Sequence, residues 1–410
     1  MPEFLRLSQP DIALQTLLDK MESTLSVESI KTEDAIGRVI QDDIHANYPL
    51  PDFRRSTVDG YAVKASETFG SSDSLPAYIN LIGEVNMGTK AHQTLGANEC
   101  VLIHTGGMIP EGADAVVMVE FTQQSLDTEV EIMKAVGVGE NVIQVGEDVA
   151  EGELVIQAGT ILRPAEIGGL MALGITQINA AKKPLVGIIS SGDEVIKPEE
   201  EMHLGQIRDI NSYTLKALVE QNGGIPKLYG IIEDTFETMV RNVSVAVKEC
   251  DLVIITAGSS ASTRDLTAKV INEIGDPGVL VHGVNVKPGK PTILSIVDRK
   301  PVIGLPGNPV SALVIAGLFV VPVIKKIMGL KHESQRPRVQ VTLGVNVASS
   351  SGREEWVPVK LINDNGGMVA DPIFGKSNLI FTLSKADGLI RIEPDSNGIL
   401  AGETIEVWLM

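Results

Sequence analysis

The stretch DLVIITAGSSASTRD, Asp251–Asp265, decides the fold. DLVIIT reads as a strand. AGSSASTRD (Ala257–Asp265) reads as the Gly/Ser/Thr loop that leaves it, and a helix is expected over about 265–274. The same alternation extends in both directions. PLVGIIS is a strand ending in the loop SGDE (Ser191–Glu194). NSYTLKALVEQNGG (Asn211–Gly224) is a helix, with Asn211 as its cap and Gly223 as its stop. KLYGIIED is a strand. TFETMVRNVSVAVKEC is a helix with Met239, Val240, Val243 and Val247 on one face, and VLVHGVNV and TILSIV are further strands. Strands that alternate with helices predict an α/β unit with a mostly parallel sheet. Such sheets bind ligands outside the carboxyl ends of their strands. SSGDE, IEDT, AGSSASTRD, KPGKP (Lys287–Pro291) and GLPGNPVSA (Gly304–Ala312) all follow strand-like runs.

The flanks read differently. Ser8–Met21 predicts a helix, with Ser8 and Asp11 in a capping-box pattern. Tyr48–Val63 is loop-like. From Tyr78 to Glu131, short apolar runs between Gly-rich turns are β-rich, and PAEIGGLMALGI is helical. After the charged linker KHESQRPR, the runs VQVTLGVNV, REEWVPVKLI, GLIRIEP and TIEVWLM predict a small all-β end domain. At 410 residues, roughly two to four domains are expected.

The 43% hydrophobic content suits a globular protein, and the net charge of −19 argues against nucleic-acid or anionic-membrane partners. It leaves room for a small basic pocket. Cys100 and Cys250 form no CxxC, and the six histidines show no metal-ligand spacing. No signal peptide is expected. The uncharged run from Pro301 is broken by Pro306, Gly307, Asn308 and Pro309, leaving Val310–Ile324 as a buried helix of a cytoplasmic protein.

Each motif carries two readings. In KPGKP, Pro288 and Pro291 fix the backbone and Gly289 permits close approach, so Lys287 and Lys290 are cations on a rigid loop, or solvated lysines on a surface turn. In GLPGNPVSA, Pro309 starts a helix capped by Asn308. Its free N–H groups and Ser311 suit an anion, or the helix is merely well capped and buried. AGSSASTRD can cradle phosphate but is not a P-loop, and Asp265 is a magnesium ligand or a helix cap. Asp59 in STVDGYAV, Glu147 and Asp148 in GEDV, Asp193 and Asp234 are turn acids, each also readable as a cap.

Taken in order, STVDGYAV, HTGGMIPEGADAVV, GEDV, SSGDE, KPGKP and GLPGNPVSA resemble the MoeA-type molybdopterin molybdenumtransferases, which include the gephyrin and plant Cnx E domains. The resemblance covers nearly the whole chain. It implies an elongated α/β multidomain protein: a MogA/MoaB-like α/β domain with a mostly parallel sheet (6–26 plus 183–330), small β-rich N-terminal domains (27–46 plus 151–182, and 47–150), and a C-terminal β-barrel (331–410). It implies molybdate insertion into adenylated molybdopterin with magnesium-dependent release of AMP. It further implies a homodimer with active sites at the subunit interface, small-molecule substrates, and an upstream adenylyltransferase and recipient molybdoenzymes as partners. By position in the motifs, Lys287, Lys290, Arg353, Ser377 and Ser311 surround the oxyanion, with Pro288, Gly289, Pro306, Gly307, Asn308 and Pro309 shaping the pocket. Asp234 and Asp265 stand near the phosphates and magnesium. Ser191, Gly192, Asp193, Gly258, Ser259, Ser260 and Ser262 contact the substrate. Asp59, Thr105 and Glu147 are polar groups of the small domain. One departure stands out: the family's phosphate loop commonly closes on Gly where this chain has Ser262. A paralogue using tungstate and a non-catalytic carrier or scaffold are the alternatives.

Overall fold

The computed structural model describes residues 7–22, 25–126, 128–257, 261–331, 337–364 and 367–410, the side chains of 261–265 excepted. The chain forms two compact units. One comprises Met1–Gln41, Gly159–Arg163 and Gln177–Met410; the other comprises Asp42–Ala158 and Pro164–Thr176.

The first unit contains a six-stranded sheet in the order Ile225–Ile232, Leu185–Ser191, Leu252–Ala257, Lys300–Pro306, Ile293–Val297, Pro277–His282. The first four strands are parallel, and the last two run antiparallel to their neighbours. Leu252–Ala257 is buried at every position, because helices cover both faces of the sheet. Val186, Ile188, Leu252, Ile254, Ile303 and Leu305 pack under Ala13, Leu17, Leu215, Val219 and Phe319. Ile189, Val253, Ile255 and Val302 pack against Met239, Val243, Val247 and Ile271 on the other side. Each such large side chain contributes roughly 1.5–3 kcal/mol on burial.

Three local expectations are corrected. The helix of the opening stretch is Ala261–Ile274, so Ala261–Asp265 belongs to it and not to the loop. Asn211 is the first helical residue, not the cap; Asp209 Oδ1 accepts the Ser212 N–H at 3.1 Å instead. The N-terminal helix is Pro10–Lys20 with no side-chain cap, and Ser8 instead exchanges backbone hydrogen bonds with Gly283 and Asn285. Proline at the first turn needs no N–H there, which makes a cap less necessary.

Pro309–Ile327 is apolar and long enough to cross a membrane. It packs in the core of this unit, where Ile315, Phe319, Val320, Val323 and Ile324 are buried, and it holds a π-turn at Ala316–Val320. The C-terminal strands close a five-stranded barrel: Glu354–Asp364, Gly367–Pro372, Arg338–Leu343, Thr404–Leu409 and Gly388–Ile392, which returns to Glu354–Asp364.

The second unit carries another six-stranded sheet, in the order Ala115–Met118, Gly60–Val63, Glu99–Ile103, Ala77–Val85, Glu129–Ile132, Thr122–Leu126. The loop-like reading of Tyr48–Val63 is corrected at its end. Gly60–Val63 is a fully buried strand paired on both edges, and a Cβ at Gly60 would overlap the Val117 carbonyl.

Candidate active site

Two loops widely separated in sequence are joined at the carboxyl end of Lys300–Pro306. The Val310 N–H donates to the Ser377 carbonyl at 3.0 Å, and Asn308 Nδ2 donates to Ser377 Oγ at 3.0 Å. Asn308 holds the N-cap position of its helix, but its side chain caps nothing, which corrects that expectation. Asn211 Nδ2 donates to the Gly307 carbonyl at 2.8 Å, so the turn before the helix is braced from a second side. KPGKP approaches from the other wall. Val286–Lys287 pairs in parallel with Glu354–Glu355 of the barrel, and the Lys287–Pro288 peptide is cis.

Between these segments lies a cleft of about 890 Å³, lined among others by Lys287, Pro288, Gly289, Lys290, Pro306, Asn308, Ser311, Arg353, Lys376 and Ser377. Gly307 and Pro309, on either side of Asn308, do not line it. Four cations, Lys287, Lys290, Arg353 and Lys376, face one carboxylate, Glu355. A positive cleft in a chain of net charge −19 attracts anions locally. The cations differ. Lys287 Nζ lies 2.7 Å from Glu355 Oε1, whereas Lys290 and Arg353 have no ion pair among the described residues.

The acids lie along the same sheet edge. Ser191, at the end of its strand, donates its hydroxyl to Asp234 Oδ1, while Gly192 and Asp193 form the turn. Burial pushes the Asp234 carboxyl above its ordinary range, and the charges of Asp193 and Glu194 add to that. Ser191 and Asp234 do not line the cleft. The Leu185–Ser191 strand stands two places from Lys300–Pro306, roughly 10 Å at ordinary strand spacing. Gly258, Ser259 and Ser260 lie outside the described residues, as do the side chains of Ser262 and Asp265. The backbone at Ser262 is helical, a conformation in which serine needs no glycine-like freedom.

In the second unit, Asp59 and Thr105 come together. Asp59 Oδ1 accepts the Thr105 N–H at 2.7 Å and the Thr105 hydroxyl at 3.1 Å. These donors hold the Asp59 carboxyl below its ordinary range, with a smaller pull from His104. His104 sits between two acids, with Nε2 2.7 Å from Glu84 Oε1 and Nδ1 3.9 Å from Asp59 Oδ1. Glu147 is exposed, and its Oε2 accepts the Gln144 N–H at 2.7 Å, a turn-closing role. Thr105→Val is expected to raise the Asp59 pKa toward its ordinary value while the backbone donor keeps part of the shift. A depressed carboxyl keeps its stabilising interaction above its unfolded value and loses it as pH falls through the folded one. The contribution is therefore smaller in the variant, and its loss is complete at a higher pH. A carbon-13 titration of the Asp59 carboxyl checks this; superimposable curves would mean the hydroxyl contributes nothing.

Sequence reasoning missed Glu355, Lys376, Glu84 and the place of His104. Lys376 is the immediate neighbour of Ser377 and was within reach of the sequence. Glu355 and Glu84 were not, because their partners are distant in sequence.

The chain matches three family models: the MoeA N-terminal region (domain I and II) over residues 9–174, the probable molybdopterin binding domain over 187–326, and the MoeA C-terminal region (domain IV) over 340–410. It is 35% identical to a putative molybdopterin biosynthesis protein of Methanocaldococcus jannaschii, covering 98% of this chain and 97% of the relative. It is 30% identical to a molybdopterin molybdenumtransferase of Staphylococcus epidermidis, covering 93% and 90%. A crystal structure of the molybdopterin biosynthesis MoeA protein from Pyrococcus horikoshii superposes with a TM-score of 0.85 at 32% identity, covering 99% of this chain and 100% of that one.

Proposed function

The chain belongs to the MoeA family and is an enzyme of molybdenum cofactor biosynthesis, a molybdopterin molybdenumtransferase, and from that premise we propose its reaction. Molybdate is inserted into adenylated molybdopterin, and the phosphoanhydride is cleaved to release AMP. The observation that carries this reading is the 890 Å³ cleft, whose cations come from three separate segments in an otherwise acidic protein. Molybdate is a dianion, and a rigid set of donors lowers the cost of bringing it to the dithiolene. Lys290 and Arg353, which have no ion pair among the described residues, supply charge. Ser311 and Ser377 supply hydroxyls, and Asn308 holds Ser377 in place.

Magnesium suits the acidic edge. Burial raises the Asp234 pKa and the charges of Asp193 and Glu194 add to it, and a cation there would relieve that added repulsion. No group of three or more metal-ligating side chains occurs among the described residues, so the substrate's phosphate oxygens would complete the shell, as magnesium commonly requires. Asp234, with Asp265, would hold the ion, which when bound neutralises phosphate charge. Ser191 orients Asp234 through its hydroxyl. Asp59 and Glu147 are assigned to positioning water or metal and Thr105 to binding substrate, in a cytoplasmic homodimer whose four domains follow the boundaries given above.

The test is AMP release from adenylated molybdopterin with magnesium, with and without molybdate. Molybdate-dependent release, with product that reconstitutes a molybdoenzyme lacking its cofactor, is the expected result. A tungstate arm separates the two anions. Tight binding without release in any arm would sink the transferase reaction.

A further inference from the structure

A carboxylate inside an anion cleft opposes the cleft's purpose, and Glu355 is such a group. It is firmly held. Its Oε1 meets Lys287 Nζ at 2.7 Å, and its Oε2 accepts the Ser349 hydroxyl at 2.7 Å. Its side chain is 12% exposed, against 55% for Lys287. The backbone adds a further constraint, because Lys287 and Glu355 are direct partners in the parallel pairing that joins KPGKP to the barrel. The carboxylate is thus the fixed end of the pair and the ammonium the movable one.

We propose that Glu355 is a positioning residue that holds the Lys287 ammonium back, so a tetrahedral oxyanion binds first through Lys290 and Arg353 and recruits Lys287 only by separating it from Glu355. Separating the pair costs free energy, a modest amount because the Lys287 end is exposed, and a bare inorganic dianion must supply it alone. The cleft therefore binds simple oxyanions weakly and reserves its full charge for a ligand that carries more. The inference rests on the oxyanion reading of the cleft given above.

Calorimetric titration of the full chain with molybdate and with sulfate tests it. Glu355→Gln keeps the shape and the Ser349 contact but removes the charge. It is expected to bind both anions about tenfold tighter and to lower the molybdate KM and kcat together, since the bound state gains more than the reaction does. Nitrogen-15 spectra supply a reading independent of activity. The ion pair is expected to make the Lys287 ammonium signal of the unaltered chain visible, and that signal is expected to vanish in Glu355→Gln and to shift when molybdate is added. A purely structural carboxylate would move neither. Ser349→Ala, which loosens Glu355 without removing it, is expected to tighten anion binding in the same direction by a smaller factor, and it serves if Glu355→Gln does not fold. Affinities within twofold of the unaltered chain in these variants overturn the role of Glu355 alone. Failure of both the unaltered chain and Glu355→Gln to bind molybdate overturns the cleft reading and this inference with it.

Discussion

Gly289→Ala is expected to lose stability and activity together. Gly289 has φ +117°, a region L side chains rarely adopt, and its Cβ would overlap Cγ1 and Cδ1 of Ile315. Ile315 is fully buried on the Pro309–Ile327 helix, immediately before the π-turn, so it has little room to yield. Backbone strain and overpacking each cost about 1–3 kcal/mol. A combined loss of about 2–6 kcal/mol should appear as a lower urea midpoint with an unchanged slope. If the loop moves to escape the clash, Lys287 and Lys290 move with it, and molybdate-dependent AMP release should fall even where the variant is fully folded. An unchanged midpoint with unchanged release would mean that the helix gives way at no cost.

Lys290→Ala is expected to have the larger effect on chemistry and little effect on the fold. The Lys290 carbonyl accepts the Val284 N–H at 3.0 Å, a contact the variant keeps. Its ammonium has no carboxylate partner among the described residues, unlike that of Lys287. Removing one preorganised charge that faces developing negative charge costs about 10²–10³ in rate, or about 3–4 kcal/mol. Turnover at saturating and limiting molybdate separates the two contributions: an effect confined to KM would mean Lys290 only binds. Lys287→Ala should lose less, because Glu355 already offsets its charge. Equal losses in the two variants would contradict that ordering.

The α/β alternation was legible because the central strands Leu185–Ser191, Leu252–Ala257, Lys300–Pro306 and Ile293–Val297 are mostly apolar runs buried on both faces. The cleft's lysines, prolines and glycines were legible because a tight loop needs those residue types in adjacent positions. Helix starts were read less well. Asn308 stands at the cap position and Asn211 one residue past it, and each donates its amide N–H to a distant group, the Ser377 hydroxyl and the Gly307 carbonyl respectively. A local rule scores only the partner available within one turn, and here a distant acceptor competed successfully. Gly60–Val63 was obscured by the turn residues before it, although it is paired on both edges.

The sequence by itself determined the alternating elements, the rigid loops that follow the strands, and the excess of acid over base. Those are properties of neighbours along the chain, set by backbone sterics and by burial. Only the tertiary structure decided that Lys287 is held by Glu355 while Lys290 is not, that Ser377 reaches the turn at Asn308, and that Ser191 binds Asp234. Those pairs join positions dozens of residues apart. Their energies depend on distance and burial, which strand register and barrel closure impose and which no spacing in the chain encodes.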